Sequence, residues 1–233
     1  MPPTREPRAG TVTRLCVQAG QPGRTALYID GRPAVDIATP LVDEAGLHTG
    51  DTLTAEDVAG LLEQDELYRA RSHALRLLAT RDRSTGEVES GLQRAGFTPE
   101  IVTATVTWLQ ERRYVDDERF AQRYIEQKSE AGWGENRVRS ELTRRGIDRI
   151  VIEASLLAFR SNDDVVSTRD EALLTLLDRR FSRPWAQDPT AARRRLAGFL
   201  ARRGFDWEAA SQIIRLFEMR QEHPDTSVDR PIP

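Results

Sequence analysis

One corner motif occurs three times in the chain and constrains the fold more than any other feature. Each copy reads Leu-x-Arg-x-Gly, then an apolar residue, then Thr or Asp, then an apolar run with helical spacing. The copies are Leu92–Ala104, Leu142–Ala154 and Leu200–Gln212, and their glycines are Gly96, Gly146 and Gly204. Because the glycines are separated by 50 and then 58 residues, the motif predicts a tandem array of helical units.

Each corner combines the signals for one helix end and one helix start. Glycine is favoured after a helix because it adopts the left-handed conformation without a Cβ penalty, and Arg in the last turn faces the negative end of the helix dipole. Two residues later stands an N-cap residue, Thr98, Asp148 or Asp206. Apolar residues on either side of each cap have the spacing of a hydrophobic staple. No strand signal intervenes, so the motif predicts a tight helix-glycine-helix corner.

The sequence therefore predicts a mainly α fold, with three three-helix repeats in an elongated, curved array behind a small N-terminal antiparallel sheet or β-hairpin module. The predicted boundaries are a tail over 1–10, the β-rich module with the start of a long helix over 11–66, repeats over 67–113, 114–160 and 161–220, and a tail over 221–233. Both tails are polar and Pro-rich, which is typical of disordered termini. In the third repeat we expect helices over 170–181, 189–203 and 207–219, with a loop over 182–188.

Three strands are predicted in the N-terminal module, over 11–17, 25–29 and 33–37. Asp30-Gly31 joins the last two, and Asp-Gly between apolar runs is a strong hairpin signal. A short helix should begin at Pro40 with Thr39 as its cap. The Thr54-x-x-Asp57 capping box should start a long helix that reaches about Ala79.

Composition points away from membranes, disulfides and known catalytic motifs. Cys16 is the single cysteine, the N-terminus lacks an apolar leader region, and no run of 18 apolar residues occurs. We therefore expect a soluble, cytoplasmic monomer. A phosphate-binding loop, a nucleophile elbow and zinc-type spacing are also missing, and the three histidines are far apart. The expectation is no catalytic residue, no metal and no cofactor.

The segment Tyr114-Val-Asp-Asp-Glu-Arg-Phe-Ala121 lies between the first two repeats. Asp116 suits a helix N-cap, Asp117 suits the positively polarised first turn, and Val115 and Phe120 have staple spacing. Asp116 and Asp117 could instead form a metal or acid–base pair. Capping accounts for both carboxylates, and no histidine or third ligand is nearby.

This segment, together with Leu142-Thr-Arg-Arg-Gly146 and Arg81-Asp82-Arg83-Ser84, resembles the RecX family of RecA regulators over about residues 11–219. Gly134 and Glu141 ahead of the second corner add to the resemblance. It implies three tandem three-helix repeats that bind the RecA filament on single-stranded DNA in its helical groove or at its end. It also implies inhibition of RecA ATPase, strand exchange and co-protease activity, with effects on DNA repair and the SOS response. The sequence departs from the family pattern over 184–189, which contains Trp185.

Basic residues in the array are the predicted filament contacts. Residues 67–217 hold 27 Arg and Lys against 22 Asp and Glu, whereas residues 1–66 hold 5 against 11. The predicted contacts lie on the second helices of repeats two and three: Arg137, Arg139, Arg144, Arg145, Arg193, Arg194, Arg195, Arg202 and Arg203. Those in last turns also interact favourably with the helix dipole.

Tryptophans could add contacts by stacking on bases. We expect Trp133, between two glycines, and Trp185, in the predicted loop, at the surface, and Trp108 and Trp207 in or near the core. The alternative function is a helix-turn-helix-like DNA-binding protein, since a three-helix unit with a glycine corner also describes such domains. A net charge of +5 over residues 67–217 favours weak direct DNA binding only. A DNA-reader would prefer one duplex sequence and lose affinity steeply with salt.

Overall fold

The computed structural model describes residues 7–161 and 163–222, with side chains outside 163–170. Four strands come first in the chain, interrupted by one short helix, and a helical region follows. The strands are β1 (Gly10–Val17), β2 (Arg24–Ile29), β3 (Arg32–Ala38) and β4 (Thr52–Leu53). The helices are α1 (Thr39–Glu44), α2 (Ala55–Thr80), α3 (Thr85–Arg94), α4 (Pro99–Glu111), α5 (Asp117–Glu130), α6 (Glu135–Arg144), α7 (Arg149–Arg160), α8 (Asp163–Gln187), α9 (Pro189–Arg202) and α10 (Trp207–Glu222). The mainly α fold with a small N-terminal antiparallel sheet is confirmed. The tails were predicted over 1–10 and 221–233, and most of each, residues 1–6 and 223–233, lies outside the described residues. Within the described part, β1 already begins at Gly10 and α10 continues to Glu222.

The N-terminal sheet has the strand order β3-β2-β1-β4, and its pairs are antiparallel. Asp30 and Gly31 both have positive φ, 48° and 74°, as a two-residue hairpin turn between β2 and β3 requires. The three predicted strands are therefore confirmed, and β4 is an additional strand of two residues. The short helix begins one residue earlier than predicted, with Ala38 rather than Thr39 at its cap.

A buried carboxylate attaches the long helix α2 to the sheet. Asp65 is 4% exposed and accepts hydrogen bonds from the Ala38 N–H at 2.8 Å and from Arg24 Nη1 at 2.5 Å. Arg24 also donates to the Asp36 carbonyl. Thr54 and Asp57 form the predicted capping box at the start of α2. Helix α2 thus closes one face of the sheet over an apolar core that includes Leu27 and Val58.

The chain divides into two compact units. The first lies within Met1–Asp82 and Val88–Tyr114, and the second within Arg83–Glu87 and Val115–Pro233. In the first unit α2 packs against α4. In the second, α5, α6 and α7 enclose one apolar cluster, and α8, α9 and α10 enclose another. The second unit therefore contains two three-helix bundles in succession.

The three glycine corners have the same hydrogen bonds. Gly96, Gly146 and Gly204 have φ of 89°, 78° and 88°. The residue after each glycine donates to the leucine carbonyl five residues earlier, at 3.1 to 3.3 Å, which is the Schellman pattern. Asp148 and Asp206 cap the following helices. Thr98 has the extended cap backbone, but its side chain makes no capping bond because its hydroxyl bonds to the Glu100 carboxylate.

The first helix of the third repeat differs from the prediction. Helix α8 continues through Pro184 to Gln187, so the loop expected over 182–188 is wrong. Trp185 lies on this helix and packs edge-on against Phe217 of α10, with ring centroids 5.4 Å apart. Proline costs one backbone hydrogen bond in a helix, and this apolar contact with α10 holds the last turn in place.

Candidate interaction surface of the helical repeats

The two aspartates considered as a metal or acid–base pair each accept a backbone N–H. Asp116 caps α5 by accepting from Arg119 N at 3.0 Å. Asp117 accepts from the Thr85 N–H at the start of α3, 2.8 Å away. Burial raises the pKa of Asp117, while the Thr85 hydrogen bonds lower it and the charge of Asp116 raises it. Within the described ranges 7–161 and 163–222, His, Cys, Asp and Glu form no group of three that could hold a metal ion.

Two other residues of the same segment carry aromatic rings. Tyr114 is 52% exposed, and its ring lies 5.6 Å from that of Trp108. Phe120 stacks on Tyr124 with a centroid separation of 6.1 Å and packs against the core of the second repeat. The segment therefore supplies a helix cap and core contacts, and Tyr114 is its exposed member.

The start of α3 packs directly on the second glycine corner, and we call this contact the first joint. A methyl group on Gly86 would lie 2.7 Å from the Cα of Gly146, so the two backbones touch. Ser84 Oγ donates to the Arg145 carbonyl at 2.6 Å. The Arg145 guanidinium donates to Glu87 at 2.6 Å and lies over the Tyr124 ring. The joint thus satisfies a carbonyl at the end of α6 that the helix leaves unpaired.

The start of α6 packs on the third corner in the same manner, forming the second joint. The Gly134 N–H donates to the Arg203 carbonyl at 2.8 Å, and the Asn136 N–H donates to the Gly204 carbonyl at 3.0 Å. Arg203 Nη1 returns a bond of 2.5 Å to the Ala131 carbonyl. Arg145 and Arg203 therefore occupy equivalent positions, each directly before a corner glycine. The guanidinium of Arg145 reaches the first turn of α3, and that of Arg203 reaches the residues just before α6.

The nine predicted contact arginines fall into three groups. Arg145 and Arg203 belong to the joints. Arg139, Arg144 and Arg193 form ion pairs with Glu153, Glu141 and Glu218, respectively. The remaining four are Arg137, Arg194, Arg195 and Arg202; within the described ranges they have no carboxylate partner, and Arg137 instead covers the Trp133 ring at 3.8 Å.

Positive charge is concentrated around the second joint and α9. Burial lowers the pKa of Arg203, and the charges of Arg137 and Arg180 lower it further, so these guanidinium groups are close to one another. Helix α9 contains no Asp or Glu, and its exposed residues include Arg194, Arg195 and Arg202. Such a face can bind phosphates or carboxylates, because Arg offers a planar fork of donors.

The tryptophans are arranged differently from the prediction. Trp133 and Trp185 are both partly buried against the apolar clusters of their repeats, and their role as surface contacts stays a prediction. Trp207, expected in or near the core, is 83% exposed, so that expectation is wrong. It is the first residue of α10, and Phe205, two residues earlier, is the one that packs against the core.

Among the exposed apolar side chains that the sequence analysis missed, the most exposed on the third helices are Ile150 and Leu157 on α7 and Trp207 on α10. Ile150 and Leu157 are seven residues apart, a helical spacing that was available in the sequence. It was overlooked because Ile152, Leu156 and Phe159 on the same helix form the buried face.

These observations define a protein of tandem three-helix repeats preceded by a small sheet, with exposed arginines on α9. Three models of one protein family match the chain: the first three-helix domain of RecX over residues 70–109, the second over 116–156 and the third over 168–214.

Relatives of known name agree with this match. The regulatory protein RecX of Cronobacter sakazakii is 33% identical over 64% of this chain and 93% of its own length. The regulatory protein RecX of Clostridium acetobutylicum is 23% identical over 88% of this chain and 95% of its own length. This chain belongs to the RecX family, whose members named here are regulatory proteins.

Solved structures show the same fold. The crystal structure of a regulatory protein RecX superimposes with a TM-score of 0.70 and 21% identity, covering 91% of this chain and 99% of the other. RecX from Lactobacillus salivarius gives a TM-score of 0.59 and 19% identity, covering 67% and 99%. In the described part of this chain, no helix is both long and apolar enough to cross a membrane.

Proposed function

We propose that this protein is a non-enzymatic regulator that binds the RecA nucleoprotein filament on single-stranded DNA. Binding in the helical groove or at the filament end suppresses ATPase, strand exchange and co-protease activity, and so modulates DNA repair and the SOS response. Membership of the RecX family supports the regulatory role. The proposal includes a cytoplasmic monomer with weak direct DNA binding.

The observation that carries the proposal is the set of arginines that face solvent and have no carboxylate partner among the side chains that the structure describes. Of the three equivalent second helices, α3 has Arg94, which bonds to the Ser90 carbonyl, and α6 has arginines that are mostly ion-paired. On α9 Arg194, Arg195 and Arg202 keep their donors available. Charges already paired within the chain contribute little to a partner, so the third repeat should contribute most of the cationic contact.

The decisive experiment measures ATP hydrolysis by RecA on single-stranded DNA with substoichiometric amounts of this protein. We expect inhibition by the native chain and its loss when Arg194, Arg195 and Arg202 are all changed to Ala. The matched control changes Arg69, Arg94 and Arg119 to Ala, which removes the same net charge from exposed positions elsewhere. An equal loss in both variants would show that net charge, rather than the α9 surface, controls binding.

The DNA-binding alternative is favoured by the same α9 surface, because an arginine-rich helix without carboxylates also suits a phosphate backbone. Absence of ATPase inhibition by the folded native chain would contradict the RecA proposal. Selection of one duplex sequence, with affinity that falls steeply as salt rises, would then establish the alternative.

A further inference from the structure

One exposed stripe along α7 carries no charged side chain. Its members have the i, i+4, i+7, i+8, i+11 spacing of one helix face: Ile150, Ala154, Leu157, Ala158 and Ser161. The other exposed residues of α7, Arg149 and Arg160, lie beside this stripe. Ile150 is 80% exposed and Leu157 is 62% exposed. The outer face of a surface helix is normally polar or charged, and 30% of this chain is charged, so the composition of this face requires an explanation.

The end of α7 that carries Leu157 lies near the start of α10, which carries Trp207. Leu157 lies one turn before Arg160, and Arg160 Nε donates to Glu135 at 2.8 Å. The next residue, Asn136, donates its N–H to the carbonyl of Gly204, three residues before Trp207. Glu135 raises the pKa of Arg160, and the charge of Asp206 contributes in the same direction. Leu157 and Trp207 therefore flank the same short stretch at the start of α6.

Two of the arginines beside this surface are paired within the chain. Arg139 donates to Glu153 at 2.6 Å, and Arg160 is paired with Glu135. Arg149, next to Ile150, is exposed, and its charge helps to lower the pKa of Glu153. The rim of this surface therefore contains both signs of charge, in contrast to α9, which has no Asp or Glu. An apolar centre with a polar rim, and an exposed tryptophan at its edge, is instead the composition of protein–protein interfaces.

We propose that Ile150, Leu157 and Trp207 bind a folded protein surface that is apolar and uncharged at its centre. The inference rests on the proposed function, within which the occupant is a protein subunit of the filament. The mixed and mostly paired charges at the rim favour a protein partner over a nucleic acid. The chain would then have two contact surfaces with different chemistry, the arginines of α9 for anionic groups and the α7 face with Trp207 for apolar protein.

The test is a variant with Ile150, Leu157 and Trp207 all changed to Ser. Because these side chains are exposed, the variant should keep the circular dichroism spectrum of the native chain. Binding to RecA filaments on single-stranded DNA is measured by sedimentation at about 0.1 M and about 0.5 M salt, where screening lengths differ about twofold. We expect affinity at least about tenfold lower at both salt concentrations, since apolar contacts are not screened.

The control variant changes Leu216 and Met219 to Ser, which removes exposed apolar side chains from another side of α10 and should leave binding unchanged. Unchanged binding by the triple variant, with native binding intact, would overturn the assignment of this surface. Failure of the native chain to bind filaments would overturn the proposed function and, with it, this occupant. Self-association of the native chain that the triple variant abolishes would show that a second copy occupies the surface, and would also overturn the proposal.

Discussion

Arg145 Nη1 lies 2.6 Å from the Glu87 carboxylate, although 58 residues separate them in the sequence. The two side chains are 25% and 17% exposed. This ion pair accompanies the backbone contact between Gly86 and Gly146. The glycine corner of the second repeat is therefore also a docking surface for the start of α3.

The Arg145–Glu87 pair should show measurable coupling. In a double-mutant cycle with Arg145→Ala and Glu87→Ala, we expect a coupling free energy of about 1 to 3 kcal/mol, because the pair is partly buried. Urea unfolding of the four proteins measures it. The exposed pair Arg144–Glu141 is the control, and its cycle should give almost no coupling. Similar coupling in both cycles would contradict a structural role for the joint.

Replacing glycine by alanine in two helices should have opposite effects. Gly60 in α2 has no atom within 4 Å of the new methyl group, so Gly60→Ala should stabilise by about 0.5 to 1 kcal/mol. Gly86→Ala would place the methyl 2.7 Å from Gly146 Cα and 2.8 Å from the Arg145 carbonyl. We expect it to destabilise by about 1 to 3 kcal/mol. Thermal unfolding should show a higher Tm for the first variant and a lower Tm for the second; a higher Tm for both would mean that the backbones at the first joint are further apart.

The buried carboxylate of the N-terminal module should be a major source of its stability. Asp65→Ala leaves the Ala38 N–H without its acceptor and removes one of the two carboxylates beside Arg24, which keeps Asp36. The expected cost is about 1 to 3 kcal/mol. Asp43→Ala on the exposed side of α1 should change stability by at most about 0.5 kcal/mol. Hydrogen exchange at the Ala38 amide measures the loss directly. Undiminished protection in Asp65→Ala would contradict the assigned contact.

Titration of Asp117 should lower the free energy of unfolding as the pH rises above the ordinary pKa of an aspartate. Its pKa is raised in the folded state from 3.8, mainly by burial, so the folded chain binds the proton more tightly than the unfolded chain. The stabilisation that comes from this tighter proton binding is fully present below the pKa of Asp117 in the unfolded chain. It is lost as the pH rises through the pKa of Asp117 in the folded chain. Asp117→Asn keeps an oxygen for the Thr85 N–H and removes the titration.

The free energy of unfolding of Asp117→Asn, relative to the native chain, should therefore increase between about pH 4 and pH 7. Denaturant unfolding at several pH values measures this difference, and other carboxylates such as Asp178 cancel because both proteins contain them. A relative decrease over the same interval would show that the Thr85 hydrogen bonds outweigh burial and lower the pKa.

Local signals in the sequence predicted most of the helices and all three corners. The corner glycines, the Asp148 and Asp206 caps and the Thr54 capping box act within a few residues, so their consequences can be inferred without the tertiary fold. The Asp30-Gly31 hairpin belongs to the same class. Strand β4 was not predicted because two residues are too few to show a periodic pattern. The helix through Pro184 was not predicted because the contact that stabilises it, between Trp185 and Phe217, joins residues far apart in the sequence.

The candidate site depends on contacts that local signals do not report. Arg144 and Arg145 are neighbours in one last turn, yet Arg144 pairs with Glu141 on its own helix and Arg145 reaches Glu87. Only the tertiary structure distinguishes an arginine that contacts the neighbouring repeat from one whose donors are available to a partner. Trp207 was wrongly assigned to the core for a related reason. Phe205 and Trp207 stand on either side of the Asp206 cap, and of the two Phe205 packs against the core.

The two joints are heterologous contacts: a helix start on one side meets a glycine corner on the other. Between separate molecules, contacts of this kind produce closed rings or open-ended polymers, depending on the rotation between neighbours. The outer ends of the series differ from the residues that form the two joints. The first corner has Ala95 where the other two have Arg145 and Arg203, and the start of α9 has no glycine, whereas the joints use Gly86 and Gly134. The same contact therefore cannot be formed with the same residues by the first corner or by the start of α9.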